Sequence, residues 1–224
     1  MGEAVGQSLP VAVGILISPM PIVAVVLMLL TPRARVNAAA FLLGWVIGIA
    51  VAGAVLVLVA GAAGAADDDG DPPTWAAVLK LVLGVLLLLL AAQNWRKRPR
   101  GGAEPPAPGW MRAIDGFTPV KAFGLAVLLG VVNPKNLLLI VSGAAAIAAA
   151  TTSTGARLGA LAVFVVVASL GVAAPLVVYL ATGPRAASLL EELKTWMVQH
   201  NAAIMAVLLL VIGAKMLGDG IAAL

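Results

Sequence analysis

The sequence predicts an all-α polytopic membrane protein, with six transmembrane helices arranged as two inverted three-helix repeats. Of its 224 residues, 62% are hydrophobic and only 11% are charged. The mean hydropathy of +1.09 lies far outside the range of a soluble domain. In two of the apolar stretches, prolines break the pattern, at Pro19/Pro21 and at Pro134. Proline removes a backbone donor and clashes with the preceding turn, so helices 1 and 4 are predicted to be broken there.

Apolar runs place six candidate spans along the chain, each about 20 residues or more. Their ranges are 8–30, 36–62, 75–94, 122–149, 157–181 and 201–218. The first is interrupted at 18–21 and the fourth at 133–134. Residues Pro184–His200 carry apolar side chains at helical spacing. That segment is typical either of an interfacial helix or of the start of one long, tilted sixth helix.

The two breaks divide the chain into similar halves. Each half opens with a broken span, followed by an intact span and a shorter one. Because three is an odd number, the second block enters the membrane from the opposite face, which makes an inverted repeat. We predict one membrane domain, with a first repeat at 1–95, a basic cytoplasmic linker at 96–121 and a second repeat at 122–224. Residues 99–109 have the composition of a flexible linker.

The charges of the loops predict the orientation. The first loop carries Arg33 and Arg35, and the third carries the basic run Arg96–Arg100, whereas the charges of the second, Asp67–Asp71, are all acidic. By the positive-inside rule, the first, third and fifth loops are cytoplasmic. A multi-pass protein of the cell inner (plasma) membrane with both termini extracytoplasmic is therefore predicted.

Several classes of function are disfavoured by what the sequence lacks. It has no cysteine, which excludes thiol–disulfide relays, iron–sulfur ligation and cysteine nucleophiles. The single histidine, His200, fits a solvated or interfacial position better than metal ligation. No catalytic triad, phosphate-binding loop or dinucleotide-binding turn is present, so we predict neither an enzyme nor a cofactor or metal. The basic residues lie in loops next to spans, a pattern of membrane orientation and not of nucleic-acid binding.

Lys135 is the sharpest candidate for a functional residue. It lies about 14 residues into the fourth span, or roughly 20 Å along a helix, too deep for easy snorkelling. An ionised lysine at such a depth costs about 3 kcal/mol and is retained only with a partner or a function. No acidic side chain lies securely inside a predicted span, which favours an exogenous anion such as a carboxylate, sulfate or phosphate. The alternative is a structural lysine bonded to backbone carbonyls freed by the opposite break.

Residues around both breaks complete the predicted substrate-binding set. Two half-helix amino ends that face one region would favour an anion, with the second half of the first span starting near Pro21. Asn133 and Asn136 supply amide groups at the depth of the lysine, and capping of the broken ends is their alternative role. Ser142, two turns beyond Asn133, either lines the route or packs helices. The full predicted set is Ser18, Pro19, Pro21, Asn133, Pro134, Lys135, Asn136 and Ser142.

Three motifs carry a family resemblance. Asn133-Pro134-Lys135 together with the proline-rich first break resembles the LysE superfamily of small exporters. The stretches Ile17–Ile22, Thr31–Arg35 and Ile212–Gly220 look like the actinobacterial GAP or sulfolipid-1-addressing (Sap) proteins. The resemblance implies six spans in two inverted triplets and a role in moving glycolipids or peptidoglycolipids toward the cell surface. Amino-acid exporters of the superfamily usually have a Gly-Pro-Gly-like first break, which this chain replaces with Ser-Pro-Met-Pro.

The residues and the resemblance together support three functions. The first is export of an anionic amphiphile, plausibly a glycolipid or peptidoglycolipid, through a midplane anion site at the broken helices. The second is LysE-like export of a small amino acid or organic anion, and the third is a non-transporting membrane scaffold for a lipid export complex. Membrane lipids and the anionic substrate are the expected partners. A homo-oligomer or a lipid-export complex is left open.

Overall fold

The computed structural model describes residues 1–64, 74–98 and 109–223, and these form helices and short connections without a strand. In chain order the helices are α1 (Gly2–Leu16), α2 (Pro19–Leu29), α3 (Ala34–Gly64), α4 (Thr74–Arg96), α5 (Gly109–Ala113), α6 (Pro119–Val127), α7 (Pro134–Ala150), α8 (Thr154–Thr182) and α9 (Ala187–Ile221). Two 3-10 turns, Ile114–Gly116 and Gly183–Ala186, and one π turn, Leu128–Val132, lie between them. The predicted acidic loop at 67–71, and most of the predicted flexible stretch 99–109, lie outside the described residues.

The helix lengths are those of a multi-pass membrane protein. Four helical stretches are long and apolar enough to cross a membrane: Ala34–Ala62, Ala77–Arg96, Thr154–Thr182 and Ala187–Ile221. Two further spans are present if each of the bent pairs α1–α2 and α6–α7 crosses the membrane as one unit. Since α9 is a single helix of 35 residues, residues 187–200 belong to the sixth predicted span and not to a separate interfacial helix.

The first break lies between α1 and α2, which are bent by 49°. Ser18 takes an extended conformation (φ −60°, ψ 114°), and α2 begins at Pro19. The predicted start near Pro21 is two residues late. The first four N–H groups of a helix have no partner within it, so neither Pro19 nor Pro21 removes a helical hydrogen bond.

The second break lies where prediction placed it. After α6, a π turn carries the chain from Leu128 to Val132, and the N–H of Asn133 donates to the carbonyl of Leu128 at 3.0 Å. α7 then begins at Pro134, bent by 64° from the segment before it. Lys135 is therefore the second residue of a half-helix, as predicted.

The two half-helices α2 and α7 lie at the centre of the fold. Four consecutive residues of α2, Val23–Val26, are fully buried, as expected for a helix surrounded on all sides. α2 packs against α3, α8 and α9, and α7 packs against α1 and α3. The fully buried Trp45 of α3 donates its indole N–H to the carbonyl of Ala168 in α8 at 3.2 Å. The first break is thus held inside a packed bundle, whereas Pro134 at the second break is exposed.

One glycine gives a test of how closely the first break is packed. A Cβ atom on Gly171 of α8 would collide with the carbonyl oxygen of Leu16 and lie 3.0 Å from its carbonyl carbon. Because that obstacle is backbone at the end of α1, it moves little. We expect Gly171→Ala to lower the stability by about 1–3 kcal/mol, the usual cost of overpacking, measured as the melting temperature in detergent. Gly124→Ala is the matched control, since nothing lies within 4 Å of its Cβ position, and equal melting temperatures would contradict the prediction.

Candidate functional site

Lys135 joins the two helix breaks. Its ammonium group donates to the hydroxyl oxygen of Ser18 at 3.1 Å and contacts the thioether sulfur of Met205 at 3.1 Å. Ser18 and Met205 are each only 1% exposed. Ser18 lies at the first break, 117 residues away in sequence, and Met205 lies in α9. The structure therefore brings the two predicted breaks together at one buried point.

The ammonium group at this point is incompletely satisfied. A lysine ammonium has three donors, and a thioether is only a weak acceptor. In the described parts of the chain the ion pairs are Lys194–Glu191 and Lys215–Asp219. No carboxylate described in the structure therefore neutralises Lys135. This agrees with the prediction that Lys135 has no acidic partner inside a span.

The two asparagines of the second break stabilise its ends. The side-chain oxygen of Asn133 accepts from the backbone N–H of Lys135 at 3.2 Å, which caps α7. The side-chain amide of Asn136 donates to the carbonyl of Leu129 in the π turn at 2.8 Å. Asn136 is fully buried, and its side-chain oxygen has no hydrogen-bond partner in the described residues. Both asparagines thus have the capping role that the sequence left open, and Asn136 keeps one free acceptor.

The other predicted site residues lie at the breaks or beyond them. Pro19 and Pro21 are buried in the first turn of α2, next to Ser18, whereas Pro134 is exposed. The hydroxyl of Ser142 donates to the carbonyl of Leu138 at 2.7 Å and is buried. The hydroxyl donor of Ser142 is therefore satisfied within its own helix. A buried serine of this kind agrees with the alternative role in helix packing.

Sequence reasoning missed Met205. It is one apolar residue among many in α9, and no charge or motif marks its position. Its contact with Lys135 depends on how α9 packs against the centre of the bundle, and that packing has no local signal in the sequence.

An apolar groove lies beside this cluster, between α4 and α9. It has a volume of about 450 Å³ and is lined by Leu88, Ala91, Ala92 and Trp95 of α4 and by Ala206, Val207 and Leu210 of α9. Ala206 directly follows Met205 in sequence. At the Trp95 end, the guanidinium carbon of Arg98 lies 3.8 Å from the centre of the indole ring. Because α4 and α9 are antiparallel, with Gly84 against Gly213 and Ala77 against Gly220, Ala206 lies toward the same end of the groove as Trp95 and the Arg98 cation.

A comparison with protein families decides the chain's membership. A family model described as Sap, sulfolipid-1-addressing protein, matches residues 9–222. The chain belongs to the Sap family. The match includes both helix breaks as well as Met205, so the candidate site lies wholly inside the Sap region. The predicted resemblance to Sap proteins is confirmed, and the wider relation to the LysE superfamily stays a prediction. No curated protein and no solved structure matches the chain.

Proposed function

We propose that this Sap-family chain exports an anionic amphiphile of the glycolipid or peptidoglycolipid class, whose head group binds at Lys135. The observation that carries the proposal is the ammonium group itself, which is held at two helix breaks by a hydroxyl and a thioether. A partly buried cation with these partners keeps donor capacity for an anion. The amino ends of α2 and α7 add the positive ends of two helix dipoles.

Two observations favour an amphiphile over a small solute. The first is the apolar groove of about 450 Å³, whose lining includes Ala206, the residue after Met205 in sequence. It has the lining that an acyl chain needs. The second is the description of the matching family, which names a lipid, sulfolipid-1, and not a small solute. Export of a small amino acid or organic anion would use Lys135 without the groove.

A non-transporting scaffold is the second candidate function. The cavities of about 590, 270, 240 and 450 Å³ in the described parts of the chain are all lined by residues other than Lys135. None of these four cavities therefore offers a substrate path that contacts the lysine. A scaffold would have no need to open there.

We also propose the inverted arrangement that transport by alternating access requires. Its support is the pairing of elements across the two halves. α1 packs against α8, and in the corresponding way α6 packs against α3, while the last helices of the halves, α4 and α9, pack against each other. In this arrangement the basic end of α4 lies in the cytoplasmic leaflet of the inner membrane, and both termini are extracytoplasmic.

Reconstitution of the purified protein separates the three functions. Proteoliposomes would carry either phosphatidylglycerol or phosphatidylcholine with a fluorophore on one acyl chain, and transfer between leaflets would be followed by chemical quenching. We expect the protein to accelerate the transfer of the anionic lipid between leaflets several-fold more than that of the zwitterionic lipid. Efflux of radiolabelled amino acids without lipid transfer would indicate the small-solute exporter. Movement of neither class by a folded protein would overturn export and favour the scaffold.

A further inference from the structure

We infer that the groove between α4 and α9 is a lateral entry portal, through which the substrate's acyl chain leaves the bilayer while its anionic head moves from Arg98 to Lys135. This inference rests on the proposed export function and adds the route. The groove is open to the membrane, since Trp95 is 48% exposed and Val207 and Leu210 are each 54% exposed. An apolar chain therefore reaches it from the side of the bundle.

The outer end of the groove carries a fixed positive charge. The guanidinium group of Arg98 stacks on the ring of Trp95, and one of its nitrogens donates to the Trp95 carbonyl at 3.3 Å. Trp95 itself lines the groove. Stacking holds the cation over the apolar entrance and leaves further guanidinium donors free for an anion. The charge at the entrance thus selects a lipid with an anionic head over a zwitterionic one.

The floor of the groove faces the core of the bundle. It is made of two small, buried residues, Ala91 and Ala206, which are 4% and 5% exposed. Next to Ala206, the side chain of Met205 contacts the ammonium group of Lys135. On the inferred route, Met205 is the residue that the head group meets before the lysine. Methionine is unbranched and flexible, and its thioether is a weaker acceptor than an anion, so an incoming head group displaces it.

The register of the two helices places Arg98 and Met205 near the same end of the groove. α4 and α9 are antiparallel, since Gly84 meets Gly213 and Ala77 meets Gly220, so Ala206 and Met205 lie close to the level of Trp95. From there the groove continues to Leu88, seven residues or about 10 Å along α4. A head group at Arg98 is therefore close to the level of Met205 while its acyl chain lies along the groove, an arrangement that fits an anionic amphiphile better than a neutral lipid.

Photolabelling in nanodiscs tests the portal. The probes are phosphatidylglycerol and phosphatidylcholine with a diazirine in one acyl chain, and labelled peptides are mapped by mass spectrometry. We expect several-fold stronger labelling around Ala92 and Val207 by the anionic probe. Arg98→Gln should reduce it to the level of the zwitterionic probe, whereas Arg96→Gln, at an exposed position, should not. Ala92→Trp should block the groove, whereas Leu89→Trp, on the lipid-facing side of α4 (62% exposed), should not.

The outcomes distinguish a wrong portal from a wrong function. Equal labelling by both probes, or labelling insensitive to Arg98→Gln and Ala92→Trp, would mean ordinary lipid contact and would overturn the portal. Lys135→Met should leave the groove labelled while export is lost. Export that depends on Lys135 but not on Ala92 or Arg98 would retain the proposed function and reject this route. Head-group-selective labelling in a protein that transports nothing would reject export and place a lipid site on a scaffold.

Discussion

Replacing Lys135 with methionine is expected to abolish export of the anionic amphiphile while the protein still inserts and folds. The substitution removes the charge that would bind the head group and keeps a long apolar side chain in its place. Hydrogen bonds to charged groups contribute about 1.5–3 kcal/mol each, and each 1.4 kcal/mol corresponds to about tenfold in affinity. Loss of one or two such bonds therefore lowers transport by at least about tenfold. The measurement is surface glycolipid content, with small-solute efflux in parallel, in cells that lack the native gene.

Stability should not fall with activity in this variant. A partly buried cation inside a membrane span, with only a hydroxyl and a thioether as partners, is costly to hold, so its removal leaves the melting temperature unchanged or higher. Lys135→Arg keeps the positive charge but replaces the compact ammonium with a planar guanidinium group, and it should retain part of the export. Lys121→Met, at an exposed position in the first turn of α6, is the matched control and should export normally. Normal export by a well-expressed Lys135→Met protein would show that the anion-site proposal is wrong.

The features predicted correctly from the sequence depend on local chemistry. The α7 start at Pro134 follows from proline's missing donor, which fits the first turn of a helix, and that start fixes Lys135 at the amino end of a half-helix. The same reasoning predicts the start of α2 two residues too late, near Pro21 instead of Pro19. The first turn of a helix tolerates proline at either position, so the rule does not choose between them. Local rules therefore define each break to within about half a turn.

The features that sequence reasoning missed depend on packing between distant helices. Nothing near Ser18 marks its hydroxyl as the acceptor for a lysine 117 residues away. The π turn before Asn133 brings the Leu129 carbonyl to the side chain of Asn136, and no spacing rule for regular helices anticipates it. The inverted-repeat pattern made convergence of the two breaks a reasonable expectation. The presence of a third element at the site, α9, could be seen only in the assembled bundle.

The second large expected effect is that Met205→Glu blocks export by occupying Lys135 with a carboxylate. A carboxylate at this position would lie next to the ammonium group of Lys135 and supply the ionic partner that the described residues lack. Charge-assisted hydrogen bonds are roughly twice as strong as neutral ones, so the new pair would compete directly with an anionic head group. We expect export to fall by at least about tenfold, which corresponds to 1.4 kcal/mol or more of competition. The melting temperature in detergent should rise by several degrees, because a lone buried cation gains its partner.

The control for this variant is Met205→Gln, which has nearly the same length and an acceptor oxygen but no charge. It should keep most of the export and give no comparable rise in melting temperature. The double variant Lys135→Met/Met205→Glu then isolates the pair. If the new ion pair causes the block, the stabilisation by Met205→Glu disappears once Lys135 is gone, and a double-mutant cycle gives a coupling energy well above the roughly 0.3–0.5 kcal/mol expected of independent sites. Equal effects of the Glu and Gln variants would instead mean that Met205 acts through packing, and that Lys135 is not open to an incoming anion at this position.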